Sequence, residues 1–189
     1  MKLCFLDVET AGLTPDCAIV QIAGIIEIGG EVVEEFNFNP APFPSDNVQA
    51  QALEISGRTL ADVATGMPPK ECHAALCAVL GRHVEKFDKA DKMHFLAYNS
   101  PFDNGMVRAF FDKAGDRYFG SWFLNPDICI MRLAAARFIA GNRPPDMKLV
   151  TVGIHLGLCT AEEAEGAHDA LWDIRLARAI FRHLQGVTL

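Results

Sequence analysis

Positive charge is in short supply along this chain: 17 Lys and Arg stand against 24 Asp and Glu, giving a formal net charge of −7. That balance excludes a protein that grips nucleic acid chiefly by neutralising phosphates along a basic face. A polyanion would need positive charge supplied locally, for instance by metal ions. Long apolar runs are missing too. No stretch approaches the roughly 18 uninterrupted apolar residues of a membrane span, and "MKLCFLDVE" meets an acid at position 7, too soon for a secretory signal. The expectation is a soluble, cytoplasmic protein. Cysteine pairs at metal or redox spacing are absent as well. Cys4, Cys17, Cys72, Cys77, Cys129 and Cys159 are scattered, mostly among apolar residues where a free thiol behaves as a small hydrophobe. In "ECHAALCAVLGRH", His73 and Cys77 are four apart and share a helix face, yet Cys72 points elsewhere and no C-x-x-C exists. The segment is expected to be a core helix and not a structural zinc site. Repeats, low-complexity tracts and linkers are also lacking, and with 50% of its 189 residues hydrophobic the chain is expected to fold as a single domain over 1–189.

What is present is a mixed α/β pattern. "KLCFLDVE" has strand character, and "AIVQIAGIIEI" and "EVVEEFNFNP" flank Gly29-Gly30 as a hairpin, so three antiparallel strands open the chain. A proline-containing loop over 39–50 leads to short helical turns around "ALEISGRTLADV", then to the helix "KECHAALCAVLGRHVEKF". "MHFLAYN" is a fourth strand, followed by the helix "PFDNGMVRAFFDKAG", with Pro101 near its start and Gly115 near its end. A fifth strand is expected near Tyr118 to Leu124, ahead of a helix over "DICIMRLAAARFIAG". "KLVTVGIHLGL" is a short helix, and "GAHDALWDIRLARAIFRHLQ" closes the chain with Leu171, Ile174, Ala177, Phe181 and Leu184 on one face. Strands first, then alternating helices and strands, imply a central mixed sheet flanked by helices.

Against that pattern, "FLDVETAGL" stands out. Residues two apart on a strand share a face, so Asp7 and Glu9 sit together while Val8 points away. Two adjacent carboxylates on a half-buried face oppose each other's ionisation, a conflict that a divalent cation removes. Asp103 at the start of the helix after the fourth strand, and Asp173 in the last helix, are candidate companions. Each alone would be a helix-capping or solvated acid. His168, five residues before Asp173, adds a titratable imidazole. Four oxygen donors without a thiolate favour Mg²⁺ or Mn²⁺ over zinc or copper.

The segments "FLDVETAGL", "YNSPFDNGMV" and "HDALWDIRLA", in that order and at that spacing, resemble the three motifs of the DEDDh, or DnaQ-like, 3′-to-5′ exonucleases. The resemblance covers nearly the whole chain. It implies a ribonuclease H-like fold, a five-stranded mixed sheet whose first three strands are antiparallel, flanked by helices. It also implies a single exonuclease domain over 1–189, in which Asp7, Glu9, Asp103 and Asp173 hold two Mg²⁺ or Mn²⁺ ions. His168 would be the general base, and all five would be catalytic. Two departures, Ala11 before Gly12 and Tyr98 before Asn99, fall beside the motif acids and bear on substrate preference.

Thr10, Gly12, Leu13, Asn99 and Phe102 are the implied substrate contacts, with Leu13 a candidate wedge against a base; core packing is an equal expectation for Leu13 and Phe102. The lysines of "EKFDKADK", Lys86, Lys89 and Lys92, alternate with acids and are expected in a solvated turn. The implied activity is removal of nucleotides from the 3′ end of single-stranded DNA in proofreading or repair. The alternatives are a 3′-to-5′ exoribonuclease of the ribonuclease T or oligoribonuclease type, and an idle nucleic-acid-binding or polymerase-docking module. The idle module is disfavoured because no motif acid or histidine is missing. "QGVTL" resembles clamp-docking peptides but lacks their aromatic, so a frayed end is the expectation and a polymerase or clamp partner the alternative.

Overall fold

The structure, a computed structural model, describes residues 1–166 and 168–186. Three strands open the chain: β1 (Lys2–Thr10), β2 (Ile19–Ile28) and β3 (Glu31–Phe38). β1–β2 and β2–β3 pair antiparallel, with Gly29 and Gly30 both at positive φ in the turn between β2 and β3. Two short helices follow, α1 (Ala50–Ile55) and α2 (Leu60–Ala64), the second closed by a reciprocal Thr59–Asp62 capping box. Then come α3 (Pro69–Gly81), β4 (His94–Ala97) and α4 (Ser100–Ala114), which ends at Gly115 in the left-handed conformation. The rest comprises α5 (Phe119–Trp122), β5 (Ile128–Cys129), α6 (Ile130–Arg137), α7 (Leu149–His155) and α8 (Ala170–Leu184).

The sheet order is β3-β2-β1-β4-β5, with β4 parallel to β1 and β5 parallel to β4. This is the expected five-stranded mixed sheet. One expectation fails. The segment from Tyr118 to Leu124 is not the fifth strand: it forms α5, and only Phe123 bridges to Met93, while the sheet takes Ile128–Cys129 instead. Phe119, Trp122 and Phe123 are all buried at i, i+3 and i+4, a helical spacing that an alternating strand would have split across two faces.

Helices cover both faces. On one, Cys4, Leu6 and Val8 of β1 pack with residues of α3, α4 and α5; on the other, Leu3 and Phe5 pack with α6, α7 and α8. Alternation along β1 therefore aims its odd-numbered side chains at α8. The apolar stripe of α8 lies as expected, with Ile174, Ala177 and Phe181 buried and Leu171 and Leu184 at its margins. Its C-terminal half is fixed by Glu27 of β2, a carboxylate 1% exposed that accepts from Arg178 at 2.9 Å and pairs with Arg182. β3 forms one edge of the sheet and is mostly exposed, its Glu34 held by His83 at 2.7 Å and its Glu35 by Arg175 at 2.6 Å. Among the described residues, no helix is long and apolar enough to cross a membrane.

Gly24 of β2 tests how tightly this sheet is closed. A Cβ there would collide with the Phe36 ring and stand 2.8 Å from the Phe5 carbonyl oxygen, whereas one on Gly105 of α4 would meet nothing within 4 Å. Gly24→Ala is expected to cost about 1–3 kcal/mol in urea denaturation. Gly105→Ala is expected to stabilise by up to about 1 kcal/mol through helix propensity.

Candidate active site

Leu3 and Phe5 carry the α8-facing side of β1 through the core, Phe5 meeting the Phe181 ring edge-on at 5.5 Å. Asp7 and Glu9 continue that side where the core ends, and both are half-buried. Asp103, 4% exposed, enters from the first turn of α4, where its own N–H and that of Val8 favour its ionised form. Asp173 comes from the first turn of α8. His168 is exposed and has a φ of 71°, a left-handed turn that brings its backbone N–H to the Asp173 carboxylate. One donor atom each from Glu9, His168 and Asp173 lies within 4.8 Å of the other two. The structure thus brings together all five residues singled out in the sequence.

Their electrostatics are unfavourable without a counter-charge. Burial, and then Asp103, Asp173 and Glu9, hold the Asp7 carboxyl well above its ordinary range. Burial and Asp173 push Glu9 up to about 8, against the opposing pull of Arg58. Burial raises Asp103 to about 7 despite its two backbone N–H donors, with the Asp173 charge adding to the rise. Asp173 is raised by burial to about 6, with His168 pulling the other way. Asp173 Oδ1 is buried without a hydrogen-bond partner among the described residues. An orphaned oxygen within a cluster of carboxylates held protonated or repelling one another fits hard divalent cations, and Asp7, Glu9, Asp103 and Asp173 are the residues that would hold them.

A further functional residue was invisible in the sequence. Gln21 of β2 is 1% exposed. Its Nε2 donates to Asp169 Oδ2 at 3.0 Å and Asn37 Oδ1 at 3.1 Å; its Oε1 accepts from Arg58 at 2.9 Å and the Ala170 N–H at 3.3 Å. Asp169 caps α8 by accepting from the N–H groups of Leu171 and Trp172. Gln21 therefore fixes the two residues after His168, and no sequence pattern marks a glutamine inside an apolar strand for that task.

The substrate candidates divide. Leu13 is 82% exposed, which removes core packing as its role. Phe102 is half-buried against the α4 side of the core. Thr10 Oγ1 donates to the Gly12 carbonyl at 2.7 Å, and a Cβ on Gly12 would collide with Cys17 Sγ, so this turn needs a glycine. Asn99 is exposed, its carbonyl accepting the first N–H groups of α4. Beside His168 and Asp173 opens an apolar cavity of about 640 Å³, lined also by Tyr98, Met131, Met147 and Leu149. Tyr98 donates its hydroxyl to the Met147 carbonyl at 2.7 Å, joining β4 to the loop before α7. The cavity's residues come from separate segments, so only the fold reveals it. The last three residues of "QGVTL" lie outside the described residues.

A family model described as exonuclease, RNase_T, matches residues 4–181. Solved structures share the fold. The E. coli exonuclease I complex with a dT13 oligonucleotide aligns with TM-score 0.74 at 20% identity over 96% of this chain. Its complex with a dA16 oligonucleotide gives 0.77 at 19% over 99%, and a zinc-bound form of its complex with single-stranded DNA gives 0.73 at 20% over 96%. The chain spans 40–41% of the length of those three chains. No curated protein matches the sequence significantly.

Carboxyl pKa values raised in the folded state mean that the metal-free protein holds protons an unfolded chain has already released. Their contribution to stability is therefore fully present below pH ~4 and is lost as pH rises through the folded values, which reach about 8 at Glu9. In chelator, Glu9→Gln is expected to melt at a higher temperature than wild type, with the gap widening from pH 5 to pH 8. A gap that narrows with rising pH would contradict these electrostatics. Adding Mg²⁺ or Mn²⁺ should raise the wild-type melting temperature more at pH 8 than at pH 5.

Proposed function

Because the chain belongs to the RNase_T exonuclease family, we propose that it removes nucleotides one at a time from the 3′ end of single-stranded DNA, in proofreading or repair. The observation that carries this function is the meeting of Asp7, Glu9, Asp103, Asp173 and His168 at one end of β1, with more negative charge than the protein itself offsets. The oligonucleotide complexes of exonuclease I, which has this fold, support DNA as the substrate. Residues 1–189 act as one exonuclease domain.

Asp7, Glu9, Asp103 and Asp173 would hold two Mg²⁺ or Mn²⁺ ions, which when bound would supply positive charge for the phosphate, a more acidic water and stabilisation of the departing 3′ oxygen. The chain's own residues do the rest. His168, exposed beside Glu9 and Asp173, accepts at a ring nitrogen the proton of the attacking water. Leu13 projects into solvent from the turn fixed by Thr10 and Gly12, placed to wedge against the terminal base. The apolar cavity beside His168 takes a base or sugar by contact that every nucleotide offers, which suits a sequence-tolerant enzyme. Asn99 and Phe102, at the start of α4, are the remaining candidate contacts to the nucleotide.

A 5′-labelled oligonucleotide should shorten from its 3′ end with Mg²⁺ or Mn²⁺, and chelator should stop it. Absence of cleavage with every divalent ion would overturn the proposal, and faster shortening of a matched RNA would move it to an exoribonuclease. Asp7→Asn and Asp173→Asn should nearly abolish turnover, while His168→Ala should lower it roughly a hundredfold. Gln21→Met should lower kcat while leaving KM nearly unchanged, because it loosens the support of His168 without touching the nucleotide.

A further inference from the structure

Away from this site, the structure gathers a second set of ligand-type side chains at the far end of α4. His73 and Cys77 lie one turn apart on α3, their Nε2 and Sγ atoms separated by 3.5 Å. Asp116, just past the Gly115 cap of α4, places Oδ2 3.3 Å from the same Nε2. Ligand atoms of all three residues lie within 4.8 Å of one another. The side chains of His73 and Asp116 are only 14% and 13% exposed, and Cys77 is half-buried. Two of the three are fixed by their neighbours. Asp116 Oδ1 accepts the Tyr118 N–H at 2.7 Å, leaving Oδ2 to face the histidine, and the imidazole stands edge-on to the Phe111 ring at 4.5 Å.

The two distances from His73 Nε2 match edges of a coordination tetrahedron. Zinc bonds of about 2.0–2.1 Å to nitrogen or oxygen and about 2.3 Å to sulfur place tetrahedral N···S pairs about 3.5 Å apart and N···O pairs about 3.3 Å apart. We infer that His73, Cys77 and Asp116 form a binding site for a borderline-soft divalent cation of the Zn²⁺ class, with the fourth position open to water. A thiolate and an imidazole select such an ion over Mg²⁺, so this site and the all-oxygen cluster take metals of different hardness. Binding transfers the Cys77 thiol proton to solvent; the thiolate and the Asp116 carboxylate then balance the two positive charges, and neutral His73 contributes a lone pair.

The surroundings favour the neutral imidazole and set the cost of releasing the thiol proton. Burial holds the His73 imidazole below its usual range, which keeps it neutral, against the opposing pull of Asp116. Burial, then the Asp116 charge, pushes the Cys77 thiol up to about 11, a rise that an adjacent cation reverses. Lys86 competes for the same carboxylate, its Nζ 3.3 Å from Asp116 Oδ2. It does not depend on that partner, since its ammonium also lies 5.0 Å from the centre of the Trp122 ring and 5.3 Å from that of Tyr118. Asp103 is in the first turn of α4 and Asp116 lies just past its C-terminal cap, so the helix from Asp103 to Ala114, about 17 Å long at 1.5 Å per residue, separates them, and the cation would tie α3 to the end of α4 without reaching the catalytic acids. The sequence offered two of the donors, four apart on one helix. The third comes from a separate segment that only the fold brings near.

Co²⁺ is the probe that separates the two sites, because only this one has a sulfur ligand. The full chain, with excess Mg²⁺ filling the all-oxygen cluster, should take up one equivalent of Co²⁺ and gain near-ultraviolet thiolate-to-cobalt absorption together with the visible bands of a tetrahedral ion. The absorption should vanish in Cys77→Ser, persist in Asp7→Asn and Cys72→Ala, and Zn²⁺ should displace it. His73→Ala and Asp116→Asn should each weaken binding roughly tenfold or more, and Lys86→Met should strengthen it. Circular dichroism verifies that each variant is folded. No thiolate-to-cobalt absorption in the wild type, or absorption that survives Cys77→Ser, overturns the inference, as does equal or weaker Co²⁺ binding by Lys86→Met.

Discussion

Mutual repulsion among Asp7, Glu9, Asp103 and Asp173 is the constraint against which this fold is built. Four carboxylates drawn from β1, α4 and α8 face one another where water is largely excluded; burial raises all four, and the charges of the neighbouring acids add to the rise at Asp7, Glu9 and Asp103. A loosely joined scaffold would relieve that cost by letting the acids drift apart. Here each acid sits on a regular element close to its end, where the backbone is fixed by hydrogen bonds while the side chain clears the core. Helix starts contribute in kind, since the first turns of α4 and α8 present partial positive charge to Asp103 and Asp173.

The attachment of α8 shows how the rest of the chain serves this end. Its C-terminal half is held through Glu27 and the two arginines, and its start through Gln21 and the Asp169 cap. Both anchors are on β2, the strand that also pairs with β1, so Asp173 and the β1 acids share one frame. Burying Glu27 would be costly unless paired, and its arginines meet that need while setting where α8 lies on the sheet. His168 stands just outside this frame, and the two residues that follow it are fixed by Gln21, so the imidazole is exposed and yet positioned.

Much of this was legible in the residues because simple periodicities govern it. The Gly29-Gly30 hairpin, the Pro101 and Gly115 limits of α4, and the apolar stripe of α8 each follow from local rules. The acid cluster was legible because a strand puts Asp7 and Glu9 on one face and helix starts mark Asp103. The misplaced fifth strand shows where such rules fail. β5 has only two residues, too few to show a period, while the aromatic run before it is buried by helical spacing instead. Gln21, Asp116 and the lining of the cavity were hidden for another reason: each gains its role from a neighbour far away in the chain, and no local pattern encodes such a neighbour.

The edge strand β3 has a bearing on behaviour in concentrated solution. An exposed outer strand offers free backbone N–H and C=O groups that can template the addition of another chain, the first step toward fibrils. β5 closes the opposite margin with only two residues, too short to be such a template. On β3 the segment "EVVEEFNF" lines that margin with Glu31, Glu34 and Glu35, and the last two hold His83 and Arg175 beside them, so a second chain would meet charged side chains and not a bare apolar strand. A belt of salt-bridged charge thus guards the open border of the sheet against self-association.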